Sequence, residues 1–325
     1  MHQFDEHHAE LKGFSSYFHE EIFPLLAAQE RSRKEVLRKN QKCGVIIAVL
    51  AVAIALYSFI VLDNVRLLVF ALIGGVFAYL GLESWFMKPI RSQTKEKIVG
   101  SICNYVGLTF QSKVTESPDL ELLEIYGLVP KGYREKNSEA LISVDLNAHK
   151  RATFEDQMSG EAHGAHFKSV EIHLERSSDD KWVTVLRGQV MTLTFPRKFL
   201  GQTVVLRDKG MFQRKKHGDM KRVGLVDPVF EKIFEAYSTD QVESRYLLDP
   251  AFMQKLVDLE RSVDGKRIRF GFIEGQLLIV VETKNRYEAG SMLKPLTSPE
   301  RTQKILDEVG AIYDIVDAIL APNAS

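Results

Sequence analysis

Cysteine is nearly absent from this chain. Cys43 and Cys103 are the two in 325 residues, which excludes a disulfide framework and a cysteine-rich zinc site and fits a reducing compartment. Net charge is missing as well: 43 Lys and Arg balance 43 Asp and Glu, so no global basic excess marks a nucleic-acid binder. The sequence has no P-loop, GxGxxG, GxSxG, HExxH or kinase signature. Nucleotide or serine hydrolysis by those routes has no motif to rest on, and no cofactor is expected.

What is present in quantity is apolar sequence without interruption. Cys43–Leu62 carries neither charge nor proline, and its twenty residues span a hydrocarbon core of about 30 Å as a helix. A second run, Leu67–Leu82, continues through Glu83 to Met87, with Trp85 suited to the headgroup level. Only Asp63-Asn64-Val65-Arg66 separates the runs, so a tight turn makes the two helices antiparallel neighbours. Runs this long and uncharged disfavour a buried hairpin of a soluble core, and a second span disfavours a cleaved signal peptide.

Arg31, Arg33, Lys34, Arg38, Lys39 and Lys42 precede the first span; Lys88, Arg91, Lys95 and Lys97 follow the second. The positive-inside rule then sets both termini in the cytoplasm and the Asp63–Arg66 turn outside. Small residues four apart, Ala71 with Gly75, Gly74 with Ala78 and Ala51 with Ala55, mark close helix contact within the hairpin or between copies. Neither span has a mid-membrane charge, which speaks against a transport path.

Residues 1–42 read as an amphipathic cytoplasmic helix with the stripe Phe4, Leu11, Phe14, Phe18, Ile22 and Leu25, kinked at Pro24. Early acids favour packing on protein over lying on an anionic bilayer. His2, His7, His8 and His19 read as solvated. Beyond the hairpin (residues 43–88), residues 89–325 read as one cytoplasmic domain. Thr94–Val106 extends the second span as helix past Pro89. Leu141–Leu146, Ala152–Glu161, Ser169–Glu175, Trp182–Phe195 and Gln202–Leu206 are short strand-like runs, with turns at Ser177–Asp180 and Pro196–Gly201. Val170, Ile172 and Leu174 alternate with Glu171, His173 and Glu175. No crossover-length helix separates these runs, so the expectation is a mainly antiparallel sheet with one buried face and short helices, an α+β class.

Asp227-Pro228 and Asp249-Pro250 each give an N-cap and an N1 proline, the first ahead of Phe230, Ile233, Phe234 and Tyr237. Arg267–Phe272 and Gln276–Glu282 alternate about Glu274-Gly275, a hairpin signal. Asn285–Ser298 reads as a linker. Ile305, Val309, Ile312, Val316 and Ile319 form a narrow seam on a last helix, fit for its own domain, the N-terminal helix or another subunit.

Gly160–Glu171, Gly201–Leu206 and above all FEKIFEAYSTDQVESRYLLDPAFMQKL (Phe230–Leu256) resemble an uncharacterised family of bacterial membrane proteins. The family's layout is similar: a cytoplasmic N-terminal helix, two adjacent spans and a C-terminal domain of unknown function. The resemblance implies a bacterial source and this architecture; it supplies no activity and no catalytic residue.

Three constellations remain as candidate sites. Glu161, His163, His166, Glu171 and His173 contain donors of the kind zinc takes, at strand spacing; exposed polar positions are the plainer reading, and replacing His163, His166 and His173 by Ala separates a metalloenzyme from a scaffold. Asp240, Glu243 and Arg245 fit capping and ion pairing. Arg207, Lys209, Arg214, Lys215, Lys216, Lys221 and Arg222 form a basic loop that either stays solvated or meets anionic headgroups. The function expected is a membrane-anchored binding or scaffolding module of the bacterial inner membrane, with lipid, another protein or its own copies as partners and no nucleic acid. The alternative is a metal-dependent membrane-bound enzyme built on the three histidines. An oligomeric channel subunit is the third reading.

Overall fold

The computed structural model describes residues 2–6, 9–61, 65–133, 142–144, 150–178, 181–194, 199–207, 219–262, 267–288, 290–292 and 294–320. Two units divide the chain: Met1–Ser101 with Glu288–Lys304, and Ile102–Tyr287 with Ile305–Ser325.

In the first unit a 3-10 turn (Ala9–Leu11) leads to α1 (Phe14–Tyr17), a wide π turn (Phe18–Ile22), and α2 (Phe23–Ile60). Glu6 starts this helical run, its carboxylate accepting from the N–H groups of Gly13 and Ser15 at 2.7 and 2.9 Å. Pro24 has no N–H to return to the preceding turn, and the π turn sits immediately before it. The wider turn also moves the apolar stripe. Phe4, Leu11, Phe14, Phe18 and Ile22 are buried as expected, but the stripe continues to Leu26, leaving Leu25 44 % exposed. The rings of Phe14 and Phe18 lie 5.4 and 4.7 Å from that of Phe4.

Helix α3 (Val65–Tyr105) runs through Pro89 without a break. A methyl group on Gly75 would come within 2.7 Å of Ala51 Cβ, and one on Gly44 within 2.6 Å of the Tyr79 ring. Those pairings run in opposite directions along the two helices, the antiparallel packing of a hairpin, with Ala51 and Ala55 buried in it. Gly74 has open space around it. Both helices are long and apolar enough to cross a membrane. Leu62, expected to end the first span, and Asp63 and Asn64, expected in the turn, lie outside the described residues.

Residues 288–304, divided in the sequence between a linker ending at Ser298 and the start of the last helix, pack on α2. The Arg33 guanidinium donates to Glu30 at 2.6 and 2.8 Å and to the Met292 carbonyl at 2.5 Å. Glu30 in turn accepts the Leu296 N–H at 2.9 Å. Met87, Met292 and Leu296 are buried together with Val36, Leu37 and Ile90 against them. The Gln303 side chain accepts the Asp5 N–H at 2.9 Å. Long-range pairing of this kind leaves no trace in local composition.

The second unit holds β1 (Thr109–Gln111), α4 (Leu120–Ile125), β2 (Ile142–Val144), β3 (Lys150–Ala162), β4 (Ala165–Ser178), β5 (Lys181–Thr194), β6 (Thr203–Arg207) and β7 (Lys221–Arg222). These are followed by α5 (Pro228–Ile233), β8 (Phe234–Ser238), α6 (Gln241–Leu247), α7 (Pro250–Ser262), β9 (Ile268–Ile273) and β10 (Gln276–Glu282). The helix α8 (Pro299–Leu320) adds its residues from Ile305 onward. Among the described residues the strands form one ten-stranded sheet in the order β1-β3-β4-β5-β10-β9-β6-β8-β7, with β2 also on β3. Its pairings are antiparallel, so the α+β class holds.

Both faces of the central strands are buried, where the sequence led us to expect one. The first carries Ala152, Phe154, Val170, Ile172, Leu174, Leu186, Val190, Leu278 and Val280, with Leu120, Leu123 and Leu128 against them. On the second, Ile268, Phe270 and Phe272 of β9 lie opposite Val281, Ile279 and Leu277 of β10. Rings cover them: Phe252 of α7 stands 5.9 Å from Phe272, and Phe234 6.1 Å from Phe270. Farther along this face Tyr313 of α8 meets Phe167 at 6.5 Å and donates to the Val106 carbonyl at 2.9 Å. The α8 seam is thus buried within the chain, together with Leu306, Tyr313 and Ile315.

Local signals mostly act as read. Asp227 Oδ1 accepts from the N–H groups of Val229 and Phe230 at 2.8 Å, and Asp249 Oδ1 from Phe252 at 2.8 Å. Glu274 and Gly275 have φ of 52° and 76°, the left-handed pair of a two-residue hairpin turn. One helix is shorter than its pattern. Phe234 and Tyr237, read as the end of the first Asp-Pro helix, belong to β8, which pairs with β6 over its whole length. A ladder partner outweighs propensity in a stretch as β-prone as Phe-Glu-Ala-Tyr-Ser.

Candidate functional site

The three candidate histidines do not converge. His163, in the β3–β4 turn, sits 2.7 Å from Asp317. His166 is exposed, with Glu161 at 3.7 Å. His173 lies seven residues farther along β4, on the opposite face, roughly 23 Å away at strand rise. Among the described residues, no group of three or more His, Cys, Asp or Glu is arranged to hold a metal ion. Of the basic loop, Lys209, Arg214, Lys215 and Lys216 lie outside the described residues. Lys221 and Arg222 form β7, Arg222 facing Glu231 and Glu235 at 4.0 and 3.9 Å.

His173 belongs to a different cluster. Residues 153 and 155 of β3, 171 and 173 of β4, and 187 of β5 fall on the second face of the sheet, brought abreast by register: His173 opposite Thr153 and Arg187, Glu171 opposite Glu155 and Gln189. Together Thr153, Glu155, Glu171, His173 and Arg187 line a pocket of about 30 Å³, room for one water-sized group. Glu171 is only 3 % exposed; it accepts from Arg187 Nη2 and Nε at 3.1 and 3.2 Å and from the Arg286 N–H at 3.3 Å. Beside it Gln189 donates to the Tyr287 hydroxyl at 2.7 Å, and Glu308 accepts the Tyr287 N–H at 2.6 Å. Burial pushes the Tyr287 phenol well above its ordinary range.

At the other end, Arg151 binds Glu175 at 2.5 Å and stacks over the Trp182 ring at 4.5 Å. His173 Nε2 is 2.9 Å from Thr184 Oγ1 and its Nδ1 is 3.7 Å from Glu175. Hydroxyl, imidazole and carboxylate in a row have the outline of a nucleophile, base and orienting acid. The carboxylate, however, is engaged by Arg151, and 3.7 Å is beyond a hydrogen bond. The arrangement is an ion-paired lattice that locks three strands.

Two groups give this cluster a pH signature. Burial lowers the His173 pKa from 6.5, with Arg187 and Arg151 acting in the same direction against Glu175. The hydrogen bond from Arg151 holds Glu175 below 4.5. On acidification the unfolded chain protonates His173 first, so stability declines as pH falls below about 6.5; the Glu175 contribution goes below about 4.5. Thermal unfolding of the full chain in detergent is expected at a lower temperature at pH 5.5 than at pH 7.5, and His173→Gln should flatten that difference. An unchanged drop in the variant would remove His173 as its source.

Asp240 acts in structure as its sequence context suggests, whereas the Glu243 carboxylate, expected in an ion pair, is taken up by backbone N–H groups. Asp240 caps α6 through the N–H groups of Val242 and Glu243 at 2.9 Å, while Glu243 accepts from Leu200 and Gly201 at 2.7 and 2.6 Å. Sequence reading missed Thr153, Glu155, Thr184 and Arg187. They are polar residues on strands whose neighbours are set by register, and the one available signal was the pairing of acids on β4 with a lone arginine on β5.

A search of curated proteins returns no match. Among solved structures, the crystal structure of the mycobacterial trehalose monomycolate transport factor A, TtfA, is similar at 16% identity over 57% of this chain and 89% of that one, with a TM-score of 0.25; at that level the likeness says nothing of function. The C-terminal stretch that includes Phe230–Leu256 does match a family: residues 184–320 fit the family model described as protein of unknown function, DUF3137.

Proposed function

We propose that this protein is a membrane-anchored binding or scaffolding module of the bacterial inner membrane. One observation carries the anchor. From Val45 to Leu80 the large apolar side chains of α2 and α3 are exposed, Val45 at 64 % and Phe70 at 70 % among them. In water such a surface is untenable; a bilayer is the solvent that covers it. The basic residues before Cys43 and after Met87 support cytoplasmic termini. The C-terminal sheet, with its ion-paired strands, then serves as a rigid platform whose surface meets a protein partner, a second copy or anionic lipid, the basic loop at 207–222 being the lipid-facing element.

The test uses the full chain with a tag after Ser325, in intact bacterial cells. Protease should remove the tag in inverted membrane vesicles and spare it in spheroplasts; the reverse pattern would sink the orientation. Crosslinking in the same membranes, followed by pull-down, should return a reproducible partner. Its consistent absence would sink the scaffold.

A further inference from the structure

Between Leu67 and Met87 the chain carries a single charged side chain, Glu83, and the first unit turns it toward α2. Contacts on either side fix its level. A methyl group on Gly44 would stand 2.6 Å from the Tyr79 ring. Met87 is buried, with Val36 and Leu37 packed against its cluster. On α3, Glu83 lies one turn from Tyr79 and one turn from Met87; on α2, Asn40 lies one turn from Gly44 and one turn from Val36. Asn40 and Glu83 therefore stand level with each other on the facing stripes of the two helices. Asn40 is 2 % exposed, and its Oδ1 is buried without a hydrogen-bond partner. Glu83 is half-buried, and among the described residues its carboxylate has neither a hydrogen bond nor an ion pair. Two acceptors thus meet at the end of an apolar run with no donor between them, an arrangement that costs free energy until one arrives.

The surroundings say what kind of donor fits. The pair sits where the exposed apolar surface of the hairpin ends: Val45, Ile46 and Leu80 are exposed on its apolar side, and Trp85, also exposed, suits the headgroup level. Arg38, Lys39, Lys42, Lys88 and Arg91 are exposed around it. Glu83 is the sole acid from Val36 to Gly44 on one helix and from Tyr79 to Arg91 on the other. A bare cation would be repelled by that basic belt. A headgroup that carries its own phosphate satisfies both parts, the phosphate against the belt and the cation against the acceptors. The cation must also bring N–H groups for a carboxylate and an amide oxygen to accept. A primary ammonium does so; a quaternary ammonium has none to give.

We propose that Glu83 and Asn40 form a headgroup site at the base of the hairpin for a zwitterionic lipid with a primary ammonium, of which phosphatidylethanolamine is the simplest. The proposal rests on the membrane-anchored reading, and its test separates the two. The full chain in mild detergent is offered phosphatidylethanolamine and phosphatidylcholine in equal amounts, and the lipid it retains is counted by native mass spectrometry. A roughly tenfold preference for phosphatidylethanolamine is expected, the effect of about one charge-assisted hydrogen bond. Glu83→Gln, which keeps the shape and removes the charge, should bring the ratio near one, and Asn40→Leu should lower it in part. Glu83→Asp keeps the charge and should keep a preference, which separates recognition from folding. Equal retention of the two lipids by the parent chain overturns the site and leaves the anchor standing. A preference that survives Glu83→Gln belongs to the basic belt and overturns it too. An excess of free ethanolamine should leave the retained lipid in place; its displacement would overturn a lipid as the source of the ammonium. Failure of the parent chain to co-elute with phospholipid nanodiscs overturns the anchor and the site together.

Discussion

Gly188→Ala is expected to be among the most damaging single-methyl additions in the chain, lowering stability by roughly 3 kcal/mol or more. Gly188 lies on β5 opposite Ile172 of β4 and Glu282 of β10. A Cβ there would stand 1.9 Å from the Val281 carbonyl oxygen and 2.8 Å from its carbon. Those are backbone atoms of the adjoining strand, so no rotamer change relieves the contact and the β5–β10 ladder itself must open. Gly224→Ala is the matched control, since its added methyl meets nothing within 4 Å. Thermal unfolding of both variants beside the parent chain decides it. Similar midpoints for Gly188→Ala and Gly224→Ala would show that the ladder yields easily.

The second large effect is at the base of the hairpin. Arg33→Ala leaves the Glu30 carboxylate, 12 % exposed as a side chain, without its guanidinium, and removes the donor to Met292. Breaking a buried pair from one side costs about 3–5 kcal/mol when the remaining charge is stranded, and removing both charges costs much less; Lys34, 3.8 Å from Glu30, brings the cost here to the low end of that range. The expected result is therefore a variant whose 288–304 segment is cut early by protease in detergent, and a double variant, Glu30→Leu with Arg33→Met, that regains much of the resistance. A double variant as labile as the single one would mean that the two backbone contacts at Met292 and Leu296 hold the segment, with the pair itself contributing little.

Much of the architecture could be read directly from residues. Uninterrupted apolar runs announce the two long helices because no soluble core needs Cys43–Leu62 to be free of charge. Glu274-Gly275 and the two Asp-Pro pairs specify local backbone geometry, and local geometry is what sequence encodes most openly. The unread parts depend on partners distant in the chain. Phe234–Ser238 is a strand because β6 lies beside it. Glu171 and Glu175 look like the solvent side of an amphipathic strand, yet Arg187 and Arg151 reach across from neighbouring strands to bury them. The histidines suggested one site because they are close in sequence; strand alternation separates His166 from His173, and the turn draws His163 to Asp317. In the 288–304 stretch, Ser, Pro and Gly gave the composition of a linker, while its apolar anchors, Met292 and Leu296, were too few to form a pattern.

The partnership of Arg33 with Met292 also sets an order in time. The two are 259 residues apart, and a ribosome adding about 5–20 residues each second needs on the order of 10–50 s to make what lies between. For most of that interval both apolar helices are already made, while the residues that complete their base do not yet exist. The newborn helix therefore waits with Glu30 and Arg33 satisfied by one another and by water until the segment that carries Met292 and Leu296 is made. A chain released before Met292 would carry both apolar helices without the contacts made at their base.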